Sequence, residues 1–307
     1  MRKAFFEKLK AITKGDKNIF LLAADLGVKF FYEFQNIDNK RFINVGVAEQ
    51  NMIGMAAGLS MSGKNVYCYS IIPFLIMRTF EQIRIDLCYN NLNVKLLGAG
   101  GGVVYGLEGV THHAIEDIAV MRSLPNMTIV VPGDTVEAEI LAEQSVTHQG
   151  PLYIRFGRDI EPLVHENKPD FKIGRGIIIR EGKDICLIAA GTMLYSAKII
   201  CGFLKNKGYN VGLISMHTIK PLDVGLVKKC AKNYSAIFTL EDHNIIGGLG
   251  SAVSEVIAES RYGGIFQKIG ILDKYTSDIG KPDYLMEKFG LDPKTITDYI
   301  LKECKNI

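Results

Sequence analysis

The run Phe42-Ile43-Asn44-Val45-Gly46-Val47-Ala48-Glu49-Gln50-Asn51-Met52-Ile53-Gly54-Met55-Ala56-Ala57-Gly58-Leu59 holds a short apolar strand that turns directly into a helix. The helix is expected to start near Ala48, which puts Glu49 in its first turn. Positions i+3, i+4 and i+7 from Glu49 are Met52, Ile53 and Ala56, so a carboxylate sits on an otherwise apolar face. Taken alone, such a residue reads first as an acid interacting favourably with a helix N-terminus. A carboxylate in apolar surroundings also suits a group that must share or hand over a proton. Gly54, Ala56, Ala57 and Gly58 would let a ligand or another backbone approach closely.

Outward from this run, short apolar stretches alternate with helix-length segments. Ile19–Ala24, Val66–Ile71, Val94–Gly98, Thr128–Val131 and Leu152–Arg155 read as strands, and Ala48–Met61, Phe74–Cys88, Ile115–Ser123 and Thr135–His148 as helices. The alternation pauses at Arg158–Lys172, which carries Pro162, Pro169 and several charges, and is the best linker candidate. It then resumes with strands at Ile185–Ala190, Val211–Met216, Ala236–Leu240 and Gln267–Ile271, and helices at Leu194–Lys207, Asp223–Lys232 and Leu249–Glu259. Such alternation predicts an α/β fold of two three-layer domains with mostly parallel sheets, over residues 1–165 and 173–307.

The 307 residues suit two domains, and 48% hydrophobic with 22% charged residues suits a globular core. A net charge of +3 gives no sign of a nucleic-acid or anionic-membrane partner. The six cysteines (Cys68, Cys88, Cys186, Cys201, Cys230 and Cys304) show no metal-ligand spacing and read as buried, reduced thiols of a cytoplasmic protein. The N-terminus has no long apolar run of a signal peptide, and no stretch approaches the roughly 20 apolar residues of a membrane span. Gly98–Gly102 and Gly247–Gly250 each follow a strand, but Val103 and Val253 stand at the third glycine positions, so neither completes a dinucleotide-binding G-x-G-x-x-G.

The segment Val45-Gly46-Val47-Ala48-Glu49-Gln50-Asn51-Met52 closely resembles the pyrimidine-binding domain of transketolases. Further segments are similar to the same family in the same order: Arg78-Thr79-Phe80-Glu81-Gln82-Ile83-Arg84, Gly109-Val110-Thr111-His112-His113-Ala114-Ile115-Glu116-Asp117-Ile118-Ala119, and Pro125–Asp134. In the second domain, Glu241-Asp242-His243-Asn244-Ile245-Ile246-Gly247-Gly248-Leu249-Gly250-Ser251 looks like the transketolase C-terminal domain. The resemblance therefore spans nearly the whole chain.

It implies thiamine diphosphate as cofactor and transfer of a two-carbon ketol unit from a ketose, in this family commonly a phosphate, to an aldose. Glu49 matches the glutamate that meets the aminopyrimidine, and Phe74 the aromatic that stacks on it. Two further aromatic positions appear as Ile71 and Met77, which makes the slot apolar rather than fully aromatic. His112 matches the active-site histidine that contacts substrate hydroxyls and assists proton transfer. Arg158 and, less closely, Arg2 match arginines that bind substrate phosphate, for which a bidentate guanidinium is suited; by itself Arg2 reads equally as a surface charge. Asp25 matches a residue near the sugar. Two departures bear on the substrate: Gly100 stands where many transketolases carry a second substrate-contacting histidine, and Glu108 where a shorter Asp reads sugar stereochemistry.

The family's diphosphate domain carries a G-D-G motif that holds the bridging Mg2+. Gly15-Asp16-Lys17 and Gly133-Asp134-Thr135 do not match it. The resemblance therefore implies the C-terminal half of a split transketolase, with no metal ligands on this chain. An N-terminal transketolase subunit would supply the diphosphate and Mg2+ site, in an α2β2 heterotetramer. Two other readings stay open. One is a related thiamine enzyme, either a deoxyxylulose-phosphate synthase or a 2-oxoacid dehydrogenase β-subunit. The other is a non-catalytic assembly or regulatory subunit.

Overall fold

The computed structural model describes residues 1–157 and 162–305. The first part runs α1 (Arg2–Thr13), β1 (Ile19–Ala23), α2 (Val28–Gln35), β2 (Phe42–Asn44), α3 (Glu49–Met61), β3 (Asn65–Ile71), α4 (Ile72–Ile76), α5 (Phe80–Gln82), β4 (Val94–Ala99), α6 (Asp117–Arg122), β5 (Thr128–Val130), α7 (Thr135–Thr147) and β6 (Leu152–Phe156). The second runs β7 (Ile177–Arg180), β8 (Ile185–Ala189), α8 (Met193–Lys205), β9 (Val211–Ser215), β10 (Thr218–Lys220), α9 (Val224–Asn233), β11 (Ala236–Asn244), α10 (Leu249–Glu259), β12 (Ile265–Ile271), α11 (Pro282–Lys288) and α12 (Pro293–Glu303).

Two sheets form, ordered β10-β5-β6-β4-β3-β1-β2 and β12-β11-β8-β9-β7. Within each, all pairs are parallel except one edge: β10 runs antiparallel to β5, and β7 antiparallel to β9. The expected α/β class with mostly parallel sheets is what the chain forms. The reason is visible in β3, whose alternate residues point to opposite faces. Val66 and Cys68 join one apolar cluster while Tyr67 and Tyr69 join another. A strand apolar on both faces is stable only with helices covering both.

Several elements differ from the sequence expectation. The helix expected over Phe74–Cys88 is three pieces: α4, α5 and a π-helical turn at Ile83–Tyr89. Thr79 interrupts it, its hydroxyl bonding the Leu75 carbonyl, while Gln50 Nε2 takes the Arg78 carbonyl at 3.0 Å. Carbonyls of this turn are thus bonded outside the helix ladder. The described part of the linker candidate, residues 162–172, is mostly exposed but anchored at three points. Val164 and Phe171 are buried, and Asp134 accepts the backbone N–H groups of Val164 and His165, both at 3.0 Å. β10, a three-residue strand of the second half, adds to the edge of the first sheet.

The two halves are also tied by a buried arginine. Arg155 on β6 donates to Asp117 Oδ2 at 2.9 Å, to Asp242 Oδ1 at 2.6 Å, and to the carbonyls of Ala114 and Asp242 at 3.0 and 3.1 Å. Burial opposes its charge, but the two carboxylates outweigh this and hold its pKa above the usual guanidinium value. Gly101 leaves room for this joint, since a Cβ there would stand 2.7 Å from the Arg155 guanidinium. His243, which the sequence left without a role, bridges the halves as well. Its Nδ1 donates to the Asn244 carbonyl at 2.7 Å, which leaves Nε2 to accept the Ala119 N–H at 3.4 Å.

Candidate active site

Parallel strands of the first sheet deliver the expected residues to one edge. Asp25 follows the carboxyl end of β1, Glu49 that of β2, Phe74 that of β3, and Gly100, Glu108 and His112 that of β4. In open α/β sheets, ligands bind outside these carboxyl ends. Arg158, which would follow β6, lies outside the described residues.

Glu49 opens α3 and is 2% exposed, with Met52, Ile53 and Ala56 fully buried beneath it. The carboxylate has two partners. Ser70 Oγ on β3 donates to Oε1 at 3.0 Å, and Arg78 Nη1 donates to Oε2 at 3.1 Å. The Arg78 guanidinium lies 4.6 Å from the centroid of the Phe74 ring. A flat, donor-bearing cation therefore touches both the carboxylate and the aromatic face. Ile71 is half-buried at the end of β3, and Met77 is 38% exposed on the turn after α4.

Beyond Phe74 the site continues as a row of rings. Phe74 meets His112 edge to face at 5.1 Å, and His112 meets Tyr105 in the same way at 6.3 Å. The Thr111 hydroxyl lies 3.0 Å from His112 Nδ1. His113 points elsewhere: it is buried, and burial lowers its pKa below the ordinary histidine value. The space at Gly100 is filled by Tyr105. A Cβ on Gly100 would stand 2.2 Å from Tyr105 Cε2, and the glycine has φ +89°, a conformation that side chains disfavour. Arg2 reaches the same place from the start of α1, with Nη1 donating to the Tyr69 hydroxyl at 2.7 Å and to the Tyr105 hydroxyl at 3.3 Å.

The other two expected residues stand apart from this row. Asp25, at φ +53°, is exposed and bonded to Asn44: its N–H donates to Asn44 Oδ1 and its Oδ1 accepts from Asn44 Nδ2, both at 3.0 Å. Glu108 is exposed on a turn, with its N–H donating to the Tyr105 carbonyl at 3.0 Å.

Ser70, Arg78 and Tyr105 carry contacts that the sequence reading did not foresee. Arg78 opens one of the segments similar to the family, so a signal existed for it. Ser70 and Tyr105 had none, because nothing local ties them to Glu49 or Gly100.

The pyrimidine end of thiamine diphosphate fits the residues present. The Arg78 guanidinium already occupies, as a planar donor, a place between a buried carboxylate and an aromatic face. Among the described residues, no group of three or more His, Cys, Asp or Glu side chains could hold a metal ion. No helix is long and apolar enough to cross a membrane among the described residues.

The family model "Transketolase, pyrimidine binding domain" matches residues 1–162, and "Transketolase, C-terminal domain" matches residues 174–296. A chain of Methanocaldococcus jannaschii described as a transketolase C-terminal section is 39% identical over 99% of this chain and 96% of its own length. An apulose-4-phosphate transketolase subunit of Phocaeicola vulgatus is 36% identical over 99% of this chain and 97% of its own. A solved structure, "Split gene transketolase, inactive beta4 tetramer", superposes with a TM-score of 0.89 at 35% identity, over 98% of this chain and 97% of that one. The chain belongs to the transketolase family, as one that aligns end to end with C-terminal sections and single subunits of split enzymes.

Proposed function

We propose that this chain is the C-terminal subunit of a two-subunit transketolase that moves a two-carbon ketol unit from a ketose phosphate to an aldose. The observation that carries the reading is the slot between the Glu49 carboxylate and the Phe74 face, held by the Arg78 guanidinium. The end-to-end match to relatives that are themselves C-terminal sections or single subunits supports the split arrangement.

Thiamine diphosphate, when bound, supplies the nucleophilic carbon and the electron sink of the reaction. The chain's own residues do the rest. Phe74, with Ile71 and Met77 around it, takes the pyrimidine ring. Glu49 holds and returns a proton at its carboxylate, with Ser70 fixing the oxygen that does not face the slot. Arg78 must leave the Phe74 face for a ring to enter, and its 45% exposed side chain has room to do so. His112, beside Phe74, contacts substrate hydroxyls and moves protons there. Arg158 and Arg2 bind the substrate phosphate. Asp25 and Glu108 lie at the rim of the sugar site, and Gly100 at its wall.

In this reading an N-terminal partner chain brings the diphosphate site and Mg2+, and two copies of each chain assemble as α2β2. The functional units are residues 1–165 and 173–307, supported by two sheets that each draw their strands from one of these ranges, β10 excepted. The compartment is the cytoplasm, supported by six free cysteines that are all buried. The test is reconstitution: co-purify the chain with its N-terminal partner, add thiamine diphosphate and Mg2+, and follow transfer from D-xylulose 5-phosphate or D-fructose 6-phosphate. Ketol transfer by the pair and none by this chain alone is expected. Full transfer without a partner would overturn the split arrangement.

A further inference from the structure

The far wall of the candidate site is built by a residue to which neither motif nor family match gives a role. Tyr105 sits on the loop after β4, half-buried, with its ring lying on Gly100. The fit is close enough to fix both residues. Any side chain at position 100 would collide with Cε2 and Cδ2 of the ring at 2.2 and 2.3 Å. The ring is further held edge-on by His112 at 6.3 Å, and it lies two ring contacts away from the Phe74 face.

The hydroxyl is oriented by what it accepts. Arg2 Nη1 donates to it at 3.3 Å, which engages the phenol oxygen and not its proton. Among the described residues, the proton has no acceptor. A half-buried hydroxyl with its oxygen held by a guanidinium and its proton unused is a hydrogen-bond donor waiting for an oxygen. The guanidinium draws electron density from the phenol and makes that donor stronger.

We infer that Tyr105 is a substrate-binding, specificity-determining residue, whose hydroxyl donates to an oxygen of the ketose beyond its carbonyl carbon. The inference rests on the transketolase reading above. The ligand chemistry is a polyhydroxylated chain laid along the row Phe74–His112–Tyr105: pyrimidine at the first ring, reacting carbon near the second, sugar hydroxyl at the third. A substrate without an oxygen at the third place loses the contact and leaves a polar group facing an apolar one.

The experiment uses the chain reconstituted with its N-terminal partner, thiamine diphosphate and Mg2+. Tyr105→Phe keeps the ring on Gly100 and removes only the hydroxyl, so folding is not at risk. Transfer is measured with D-xylulose 5-phosphate and with D-fructose 6-phosphate, and cofactor affinity by calorimetry. One neutral hydrogen bond corresponds to a rise of about three- to tenfold in KM for the ketose donor. That rise is expected with cofactor affinity unchanged. Gly100→Ala should mimic it by displacing the ring. If the wild type transfers ketol units but Tyr105→Phe leaves KM for both donors unchanged, or cofactor affinity falls in step with KM, the role given to Tyr105 is refuted while the transketolase reading stands. If the wild-type pair transfers from neither donor, that reading fails, and the inference falls with it.

Discussion

Replacing Glu49 by Gln separates catalysis from stability at one atom. The amide keeps an oxygen for Ser70, whose bond is 3.0 Å, and turns an NH2 toward Arg78, whose bond is 3.1 Å. What the fold loses is one ion pair to a guanidinium that is 45% exposed. The carboxylate is buried but the guanidinium can turn to water, and the amide removes the cost of burying a charge, so the subunit should lose on the order of 1 kcal/mol and stay folded. The reaction loses far more. A positioned proton-transfer group contributes roughly 10²- to 10⁴-fold in rate, which is about 3–5 kcal/mol of barrier. The assay is ketol transfer by the reconstituted pair at saturating thiamine diphosphate, alongside urea unfolding of the isolated chain. A kcat within threefold of wild type, with the protein folded, would refute the proton-handling role. A matched loss of stability and rate would instead mean that Glu49 acts mainly by holding the fold.

Phe74→Ala removes the aromatic face, and affinity for thiamine diphosphate, measured by calorimetry on the reconstituted pair, should fall by about two- to tenfold; an unchanged affinity would put the pyrimidine elsewhere. Arg155→Met leaves Asp117 and Asp242, 0% and 3% exposed, as buried charges without their cation. The urea midpoint should report a loss of about 3–5 kcal/mol, largely recovered when both aspartates become asparagine, whereas a loss under about 1 kcal/mol would mean that the joint is wet. Lys95, fully buried at the amino end of β4, is pushed down to about 7 by burial. Between about pH 7 and the unfolded value near 10.4, the unfolded chain binds the extra proton, so this group makes stability rise with pH by on the order of 3 kcal/mol. Lys95→Met should remove that slope from urea unfolding compared at pH 7 and 9.5; equal slopes in the two proteins would count against it.

The strands were readable where their cause was local. β1, β3, β4 and β6 are apolar runs because both of their faces are covered, and a run of that kind is visible in any window of five or six residues. α3 was readable from its period, and Glu49 from its place in that period. Elements with weaker local signals were missed. α1 carries only Phe5, Phe6, Leu9 and Thr13 to the core, and β7 and β10 are edge strands of four and three residues that owe their conformation to a neighbour. The helix expected over Phe74–Cys88 broke because partners from α3 and from its own side chains claim carbonyls that a regular helix would use.

The candidate site divides in the same way. Glu49 stands out from its place in the helix period, whereas Phe74 and His112 are singled out by the resemblance to the transketolase family. Their contacts could not be read in either way. Arg78 comes to Glu49 across 29 positions, and Arg2 to Tyr105 across 103, because the parallel sheet folds β1 through β4 side by side and brings their ends to one edge. The sequence alone established an α/β chain with a carboxylate at a helix start and glycine at position 100. Only the tertiary structure decided that a guanidinium stands in the slot beside that carboxylate and that a tyrosine ring fills the space over Gly100, since both are contacts between chain segments that no local period or propensity encodes.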